Sequence, residues 1–286
     1  MDDRLRTALE TTLGAGVVQA TVVHGGDVAA AFRIDLDDGR RLFAKTHPAP
    51  PPGFFTTEAA GLRWLRDGAA VPVPDVVAVT DEAPAHLVLE WIDEGRPRES
   101  TDADFGTALA ALHRKGAPCF GREDRRTTGS RGLPNEPAAT WADFYGQSRL
   151  LPLARLARDA DVLPGATIAR LEALAGRLEL FGAADEPPAR LHGDLWAGNR
   201  LVAADGRSWL VDPAAHGGHR EFDLAMMRLF GGFGPPCFQA YEEQSPLADG
   251  WESRVALHQI APLLVHAIKF GGSYVPSARA AIERYG

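Results

Sequence analysis

The sequence contains only two cysteines in 286 residues, Cys119 and Cys237, far apart and without a CxxC pair. That spacing excludes a disulfide framework and a structural zinc site, and it suits a reducing compartment, read here as cytoplasm. Long apolar runs are missing too. The nearest approach to the ~20 residues needed to cross a bilayer is the short stretch APLLVHAI, Ala261 to Ile268. The opening twenty residues carry Asp2, Asp3, Arg4, Arg6 and Glu10 and lack the uninterrupted apolar stretch of a signal peptide. Positive charge is in deficit, with 30 Lys+Arg against 38 Asp+Glu and a net charge of −8. Neither nucleic acid nor an anionic membrane is expected as a partner, because both are held mainly by clustered Lys and Arg. The composition, 45% hydrophobic and 24% charged, is that of a folded globular chain rather than a disordered or fibrous one. At this length two lobes are expected, since single cores stop growing near ~250 to 300 residues.

The first ninety residues read as a helix followed by β-structure. Asp3 to Leu13 has amphipathic helical spacing ended by Gly14 and Gly16. Val17 to His24, Val28 to Asp35 and Arg41 to Lys45 are β-prone runs separated by Gly25-Gly26-Asp27 and Asp37-Asp38-Gly39-Arg40, both tight-turn sequences. After a proline-rich tract, Thr56-Thr57 suits the N-cap of a helix from Glu58 to Arg66. Val76 to Thr80 and His86 to Trp91 complete a five-stranded antiparallel sheet with one docked helix. Beyond Asp93 the periodicity turns helical, at Asp102 to Lys115, Trp141 to Ala157 and Thr167 to Phe181. Between them, residues 116 to 140 read as a long surface loop able to cover a substrate. The expected organisation is α+β, with a nucleotide-binding lobe over residues 1–93 and a mainly helical lobe over 94–286.

The chemistry is concentrated in His192-Gly193-Asp194-Leu195-Trp196-Ala197-Gly198-Asn199 and in Trp209-Leu210-Val211-Asp212-Pro213. An Asp, an Asn five positions on and a second Asp thirteen beyond that, at the end of a short apolar strand, fit phosphoryl transfer from ATP. The first Asp must orient the acceptor hydroxyl or take its proton, which suits Asp194. Magnesium takes hard oxygen ligands placed to bridge phosphates, which suits Asn199 and Asp212. Phosphates also need a lysine, and that lysine a carboxylate. Lys45 at the end of the third strand and Glu58 in the next helix have the required order, and Lys45 is the only lysine of the first hundred residues. Gly25-Gly26-Asp27 is the candidate phosphate cover, or a plain hairpin turn, since there is no GxGxxG. Glu90, Trp91 and Ile92 form the linker against which adenine is placed, by position alone. No DFG or APE motif follows Asp194, so the activation segment of a protein kinase is not expected.

With these residues assembled, the chain resembles the fructosamine kinase, or ketosamine-3-kinase, family within the protein-kinase-like fold of small-molecule kinases. The resemblance is carried by HGDLWAGN (His192 to Asn199), VDPAAHGGHREFDLAMMRLFGGF (Val211 to Phe233), GGD (Gly25 to Asp27), LVLEWID (Leu87 to Asp93) and FGGSY (Phe270 to Tyr274). The tryptophan after HGDL and the HREFDLAM stretch set it apart from aminoglycoside and choline kinases. The resemblance implies ATP-dependent phosphorylation of the 3-hydroxyl of a ketoamine, with magnesium, followed by loss of the sugar from a glycated small amine, lysine or protein. It implies Asp194 as base, Asn199 and Asp212 as metal ligands, and Lys45 with Glu58 as the phosphate anchor. Asp223 resembles the buried aspartate that supports the catalytic loop, and His192 is grouped with it. Trp196, His216 and His219 are candidates to face the sugar, the alternatives being core packing and, for His219, a helix start. Two segments depart from the family: FGREDRRTTGS (Phe120 to Ser130), and GGDVA, where Ala29 replaces a polar residue. The rivals are a kinase of another small alcohol, such as an aminoglycoside, choline or homoserine, and an inactive nucleotide-binding scaffold. No obligate protein partner is evident.

Overall fold

The opening helix α1 (Asp3–Leu13) is capped by its own neighbours: Asp2 Oδ1 accepts from the Leu5 N–H at 2.8 Å, and Gly14 adopts φ +66° after the last turn. The computed structural model describes residues 1–24, 29–125, 127–128 and 132–286. Strands β1 (Val17–Val23), β2 (Ala30–Leu36) and β3 (Arg41–Thr46) form the antiparallel meander that the turn residues predict. The Gly25-Gly26-Asp27 turn, assigned to the phosphate cover, lies outside the described residues. The sheet closes in the order β1-β2-β3-β5-β4, where β4 is Val76–Thr80 and β5 is His86–Glu90. Helix α1 seals its outer face, with Leu5 and Leu9 packed on Ile34, Leu42 and Val88.

Helix α2 (Phe54–Asp67) lies on the other face and begins four residues before the expected Glu58. The cap is supplied from a distance. Asp81, in the β4–β5 turn, accepts from the Phe55 and Thr56 N–H groups at 2.7 and 3.3 Å and from the Thr56 hydroxyl at 2.5 Å. Thr56 is therefore the partner of a capping carboxylate rather than the cap itself.

The second lobe begins with α3 (Thr101–Arg114). The described residues of 116–140 are more fastened than the sequence suggests. They contain the small hairpin β6 (Thr127–Thr128) and β7 (Leu133–Pro134), and Phe120, Arg122, Thr128 and Asn135 are buried. The expected single helix Trp141–Ala157 is divided into α4 (Trp141–Tyr145) and α5 (Leu151–Asp159) by a π-helical turn, Gly146–Leu150. In that turn Arg149 is buried and donates to Asn135 Oδ1 at 3.1 Å. Helix α6 (Gly165–Ala175) stops at Gly176, short of the predicted Phe181. Four short strands then hold the functional loops: β8 (Ala189–Leu191) pairs with β11 (His216–Gly218), and β9 (Arg200–Val202) pairs with β10 (Ser208–Leu210). Helices α7 (Glu221–Phe230), α8 (Pro235–Gln244), α9 (Trp251–Phe270) and α10 (Tyr274–Tyr285) complete the chain. None of the described helices is long and apolar enough to cross a membrane.

One apolar cluster crosses between the lobes. Phe55, Leu62, Leu65 and Leu87 of the first half pack with Phe105, Leu109, Leu210 and Leu224 of the second. Where α3 crosses α8 the backbones nearly touch, and a Cβ on Gly106 would lie 2.0 Å from the Cys237 carbonyl oxygen. Gly106→Ala is accordingly expected to destabilise the protein by about 1 to 3 kcal/mol, the usual cost of overpacking. A urea titration checks this, with a lower midpoint at unchanged slope. The Cys237 side chain itself is fully buried in this apolar cluster.

Candidate active site

The loop after β8 is fixed by its backbone and by one buried carboxylate. Gly193 has φ +80°, and a Cβ there would lie 2.2 Å from the Ala214 carbonyl oxygen, so no larger residue fits. Asp223, fully buried near the start of α7, accepts from the His192 N–H at 2.8 Å and the Gly193 N–H at 2.9 Å. Its Oδ2 also lies 3.3 Å from His113 Nε2, and His113 Nδ1 lies 2.8 Å from the Tyr241 hydroxyl. Burial opposes the charge on Asp223, but these donors outweigh it and hold the carboxyl below its ordinary range. His192 completes the scaffold. Its Nδ1 accepts from the Asp194 N–H at 3.3 Å and its Nε2 donates to the Val211 carbonyl at 2.9 Å, a neutral tautomer favoured by burial. The ring thus ties the Asp194 loop to the strand leading to Asp212. His113 and Tyr241 carry no sequence signal for this role, because each looks like an ordinary polar residue on a helix.

Asp194 projects from this scaffold, with its carboxylate held by the Asn199 amide: Nδ2 donates to Asp194 Oδ2 at 3.1 Å and to its carbonyl at 2.8 Å. Burial raises the Asp194 carboxyl to about 7, opposed by the Asn199 hydrogen bond. A group poised there suits proton acceptance near neutral pH. Lys45, Glu58 and Asp212 meet nearby. Lys45 Nζ lies 2.9 Å from Glu58 Oε1 and also bonds Asp212 Oδ1, joining β3, α2 and the segment after β10. Asp212 reaches this position with φ +55°, a backbone state that non-glycine residues adopt rarely and that clusters at functional sites. Burial works against the Lys45 charge, yet the two carboxylates hold its ammonium above the ordinary value. Burial lifts Glu58 to about 7, and it opposes the Asp212 charge too, but Lys45 keeps Asp212 low. The donors here are hard oxygens. Asn199 spends its amide nitrogen on Asp194 and keeps Oδ1, while Asp212 bonds Lys45 through Oδ1 and adjoins Glu58, a carboxamide and a carboxylate whose oxygens fit a magnesium ion.

The remaining predicted residues separate. Trp196 is 40% exposed, stands edge-on to Phe230 with centroids 6.1 Å apart, and lies over Gly198, whose added Cβ would meet the ring at 2.3 Å. His216 and His219, the other candidates for the sugar, are only 4% and 2% exposed. The His216 Nδ1 lies 2.8 Å from the Ala214 carbonyl, with the ring against Phe144, and burial lowers its pKa to about 3. His219 Nε2 lies 2.9 Å from the Ala183 carbonyl, and burial lowers its pKa to about 4. Both rings bond backbone carbonyls, and His219 Nδ1 also accepts from the Glu221 N–H at 3.2 Å, the helix-start role open to it in the sequence. His219, Glu221 and His258 are spaced as a metal site would be. Arg254, however, already engages Glu221 at 2.9 and 2.5 Å, and a guanidinium there opposes a second cation. That cluster instead ties α7 to α9. At the lobe junction, Glu90 exchanges hydrogen bonds with Asp75 at 2.9 and 3.1 Å, Trp91 Nε1 donates to Asp93 at 2.9 Å, and Ile92 lies between them in the linker.

A base-like carboxylate, a half-buried lysine between two acids and the hard oxygens of Asn199 and Asp212, in one place, suit phosphoryl transfer. Comparison with known proteins agrees. The family model for fructosamine kinase matches residues 1–285. A candidate ketoamine kinase from Enterococcus faecium is 35% identical over 267 residues, covering 92% of this chain and 94% of its own. The chloroplastic protein-ribulosamine 3-kinase of Arabidopsis thaliana is 32% identical over 272 residues, covering 92% of this chain and 81% of its own. The crystal structure of a candidate fructosamine-3-kinase from Thermobifida fusca superposes with a TM-score of 0.91 at 36% identity, covering 100% of this chain and 99% of the other. The two-lobed α+β architecture is thus the protein-kinase-like fold.

Proposed function

The chain belongs to the fructosamine kinase family, and from that premise we propose that it transfers the γ-phosphoryl group of ATP to the 3-hydroxyl of a ketoamine. The observation that carries the reading is the convergence of Lys45, Glu58 and Asp212 beside the Asp194–Asn199 pair. In this reading residues 1–93 bind the nucleotide and residues 94–286 the acceptor. Lys45 binds phosphate oxygens as a point charge, with Glu58 preventing its collapse onto Asp212 alone. Asp194 orients the 3-hydroxyl and accepts its proton, while Asn199 and the Asp223 scaffold keep that carboxylate in position. Asn199 and Asp212 would hold magnesium, which when bound supplies neutralisation of phosphate charge. Adenine is placed against Glu90, Trp91 and Ile92. The phosphorylated sugar is then expected to leave its amine, so the consequence of the reaction is deglycation.

Trp196 is the wall we assign to the sugar, because it is the exposed aromatic ring two residues from Asp194. Trp196→Ala is expected to raise the ketoamine KM about tenfold, the upper end of what one stacking ring supplies, with the ATP KM unchanged. Steady-state kinetics in both substrates checks the split. The reading as a whole is tested by ADP release from Mg·ATP with fructosyl-lysine, ribulosyl-lysine, an aminoglycoside, choline and homoserine. Rapid release with the two ketoamines supports it. Faster turnover of any other acceptor, or none with ketoamines, overturns it.

A further inference from the structure

Helix α2 carries more than the partner of Lys45. Trp64, six residues beyond Glu58 and hence about 9 Å along the axis, receives two guanidinium groups. Arg122 Cζ lies 4.7 Å and Arg190 Cζ 4.5 Å from its ring centroid. Arg190 extends from β8 and also donates to the Trp64 carbonyl and, at 3.4 Å, to that of Gly116. Arg122 comes from the 116–140 loop, is 5% exposed, and has its plane set by two 2.7 Å hydrogen bonds to Asp124. Two cations crowd one indole, an arrangement that repels itself unless each contact is held from behind. The loop is held. Gly121 and Gly217 exchange backbone hydrogen bonds at 2.8 and 2.9 Å, stitching it to β11, and the Arg122 N–H donates to the Asn135 carbonyl at 2.8 Å. Midway along α2, Gly61 lies so near Pro213 that an added Cβ would meet it at 3.2 Å.

The same rigid helix therefore touches the acceptor-side loop through Trp64, the residue after Asp212 through Gly61, and the phosphate-binding lysine through Glu58. We propose that Trp64 and Arg122 are positioning residues, through which the docked 116–140 loop sets the position of α2 and so the hold of the Lys45–Glu58 pair on the nucleotide. The inference rests on the kinase reading and adds a link between the acceptor side and the nucleotide side that runs outside the cleft. Neither residue touches phosphate in this scheme. Loss of the contact is felt as weaker nucleotide binding, with chemistry at saturation little altered.

The test measures Mg·ADP binding by calorimetry, ATP KM, kcat and melting temperature for Arg122→Ala, Trp64→Leu and Trp64→Phe. The first two are expected to weaken Mg·ADP and raise the ATP KM about three- to tenfold, the range in which cation–π contacts act. Trp64→Phe keeps an aromatic face for the guanidinium groups and is expected to stay within about twofold of the parent protein. If Arg122→Ala and Trp64→Leu bind Mg·ADP as the parent does, the proposal is overturned whatever their melting temperatures, since the contact would then be packing alone. Should Trp64→Leu fail to fold, Arg122→Ala against Arg122→Lys decides. An intact protein that binds no Mg·ADP would overturn the kinase reading itself, a result distinct from a parent that binds and variants that do not differ.

Discussion

Asp194→Asn is expected to lower kcat by about 10²- to 10⁴-fold, the usual worth of a general base, while Mg·ADP affinity stays close to that of the parent. The geometry gives both halves of this expectation. Asn fills the same volume and can still bond the Asn199 amide, now 3.1 Å from Asp194 Oδ2, so the loop held by Asp223 and His192 keeps its shape. What disappears is a site able to take a proton. Lys45 and the Asn199 and Asp212 oxygens assigned to the nucleotide and its metal are untouched. Rapid-quench measurement of the chemical step, paired with calorimetry, separates the two effects. A variant retaining most of its turnover would remove Asp194 from the role of base. One that loses nucleotide binding in proportion would make it a structural residue.

Lys45→Met is expected to lower kcat/KM for ATP by about 10²- to 10³-fold, comparable to removing one preorganised charge partner of a reacting group. The substitution does more than delete a cation. It leaves Glu58 and Asp212 facing each other with no cation between them, in the place proposed for the triphosphate. Glu58 is already raised to about 7 by burial, and without Lys45 it rises further and becomes protonated at neutral pH. The fold can absorb that change by taking up one proton, so melting should alter far less than catalysis. Initial rates across an ATP series check it, and a kcat/KM within threefold of the parent would exclude Lys45 from the nucleotide site.

Much of this was legible in the residues because the relevant signals are local. Strand alternation and the Asp-Gly turn before β3 are set within a few positions, and Asp194, Asn199 and Asp212 fall within one stretch of 19 residues. Lys45 and Glu58 could be paired only by asking what a triphosphate requires, since nothing nearby in the chain links them. The misreadings share one cause. The cap of α2 comes from Asp81, beyond the helix, and local propensity cannot see a donor's partner 25 residues away. The break in the Trp141–Ala157 helix arises where Arg149 turns inward to the 116–140 loop, a tertiary demand that helical periodicity does not register. His216 and His219 sit in a motif full of functional residues, and the sequence gives their proximity to the site without their direction. The direction comes only with the fold, which turns His216 toward Phe144 and the Ala214 carbonyl and His219 toward the Ala183 carbonyl.

The apolar cluster that runs from Phe55 and Leu87 to Phe105 and Leu224 has a mechanical consequence. Many two-lobed enzymes swing open like a book to exchange ligands, but here the spine is glued with leucine and phenylalanine. Wide opening would wet that surface, at about 25 cal/mol for each Å² exposed. Breathing of the cleft is therefore confined to its front edge, and under the proposed function the traffic of a ketoamine is left to the loops that rim it.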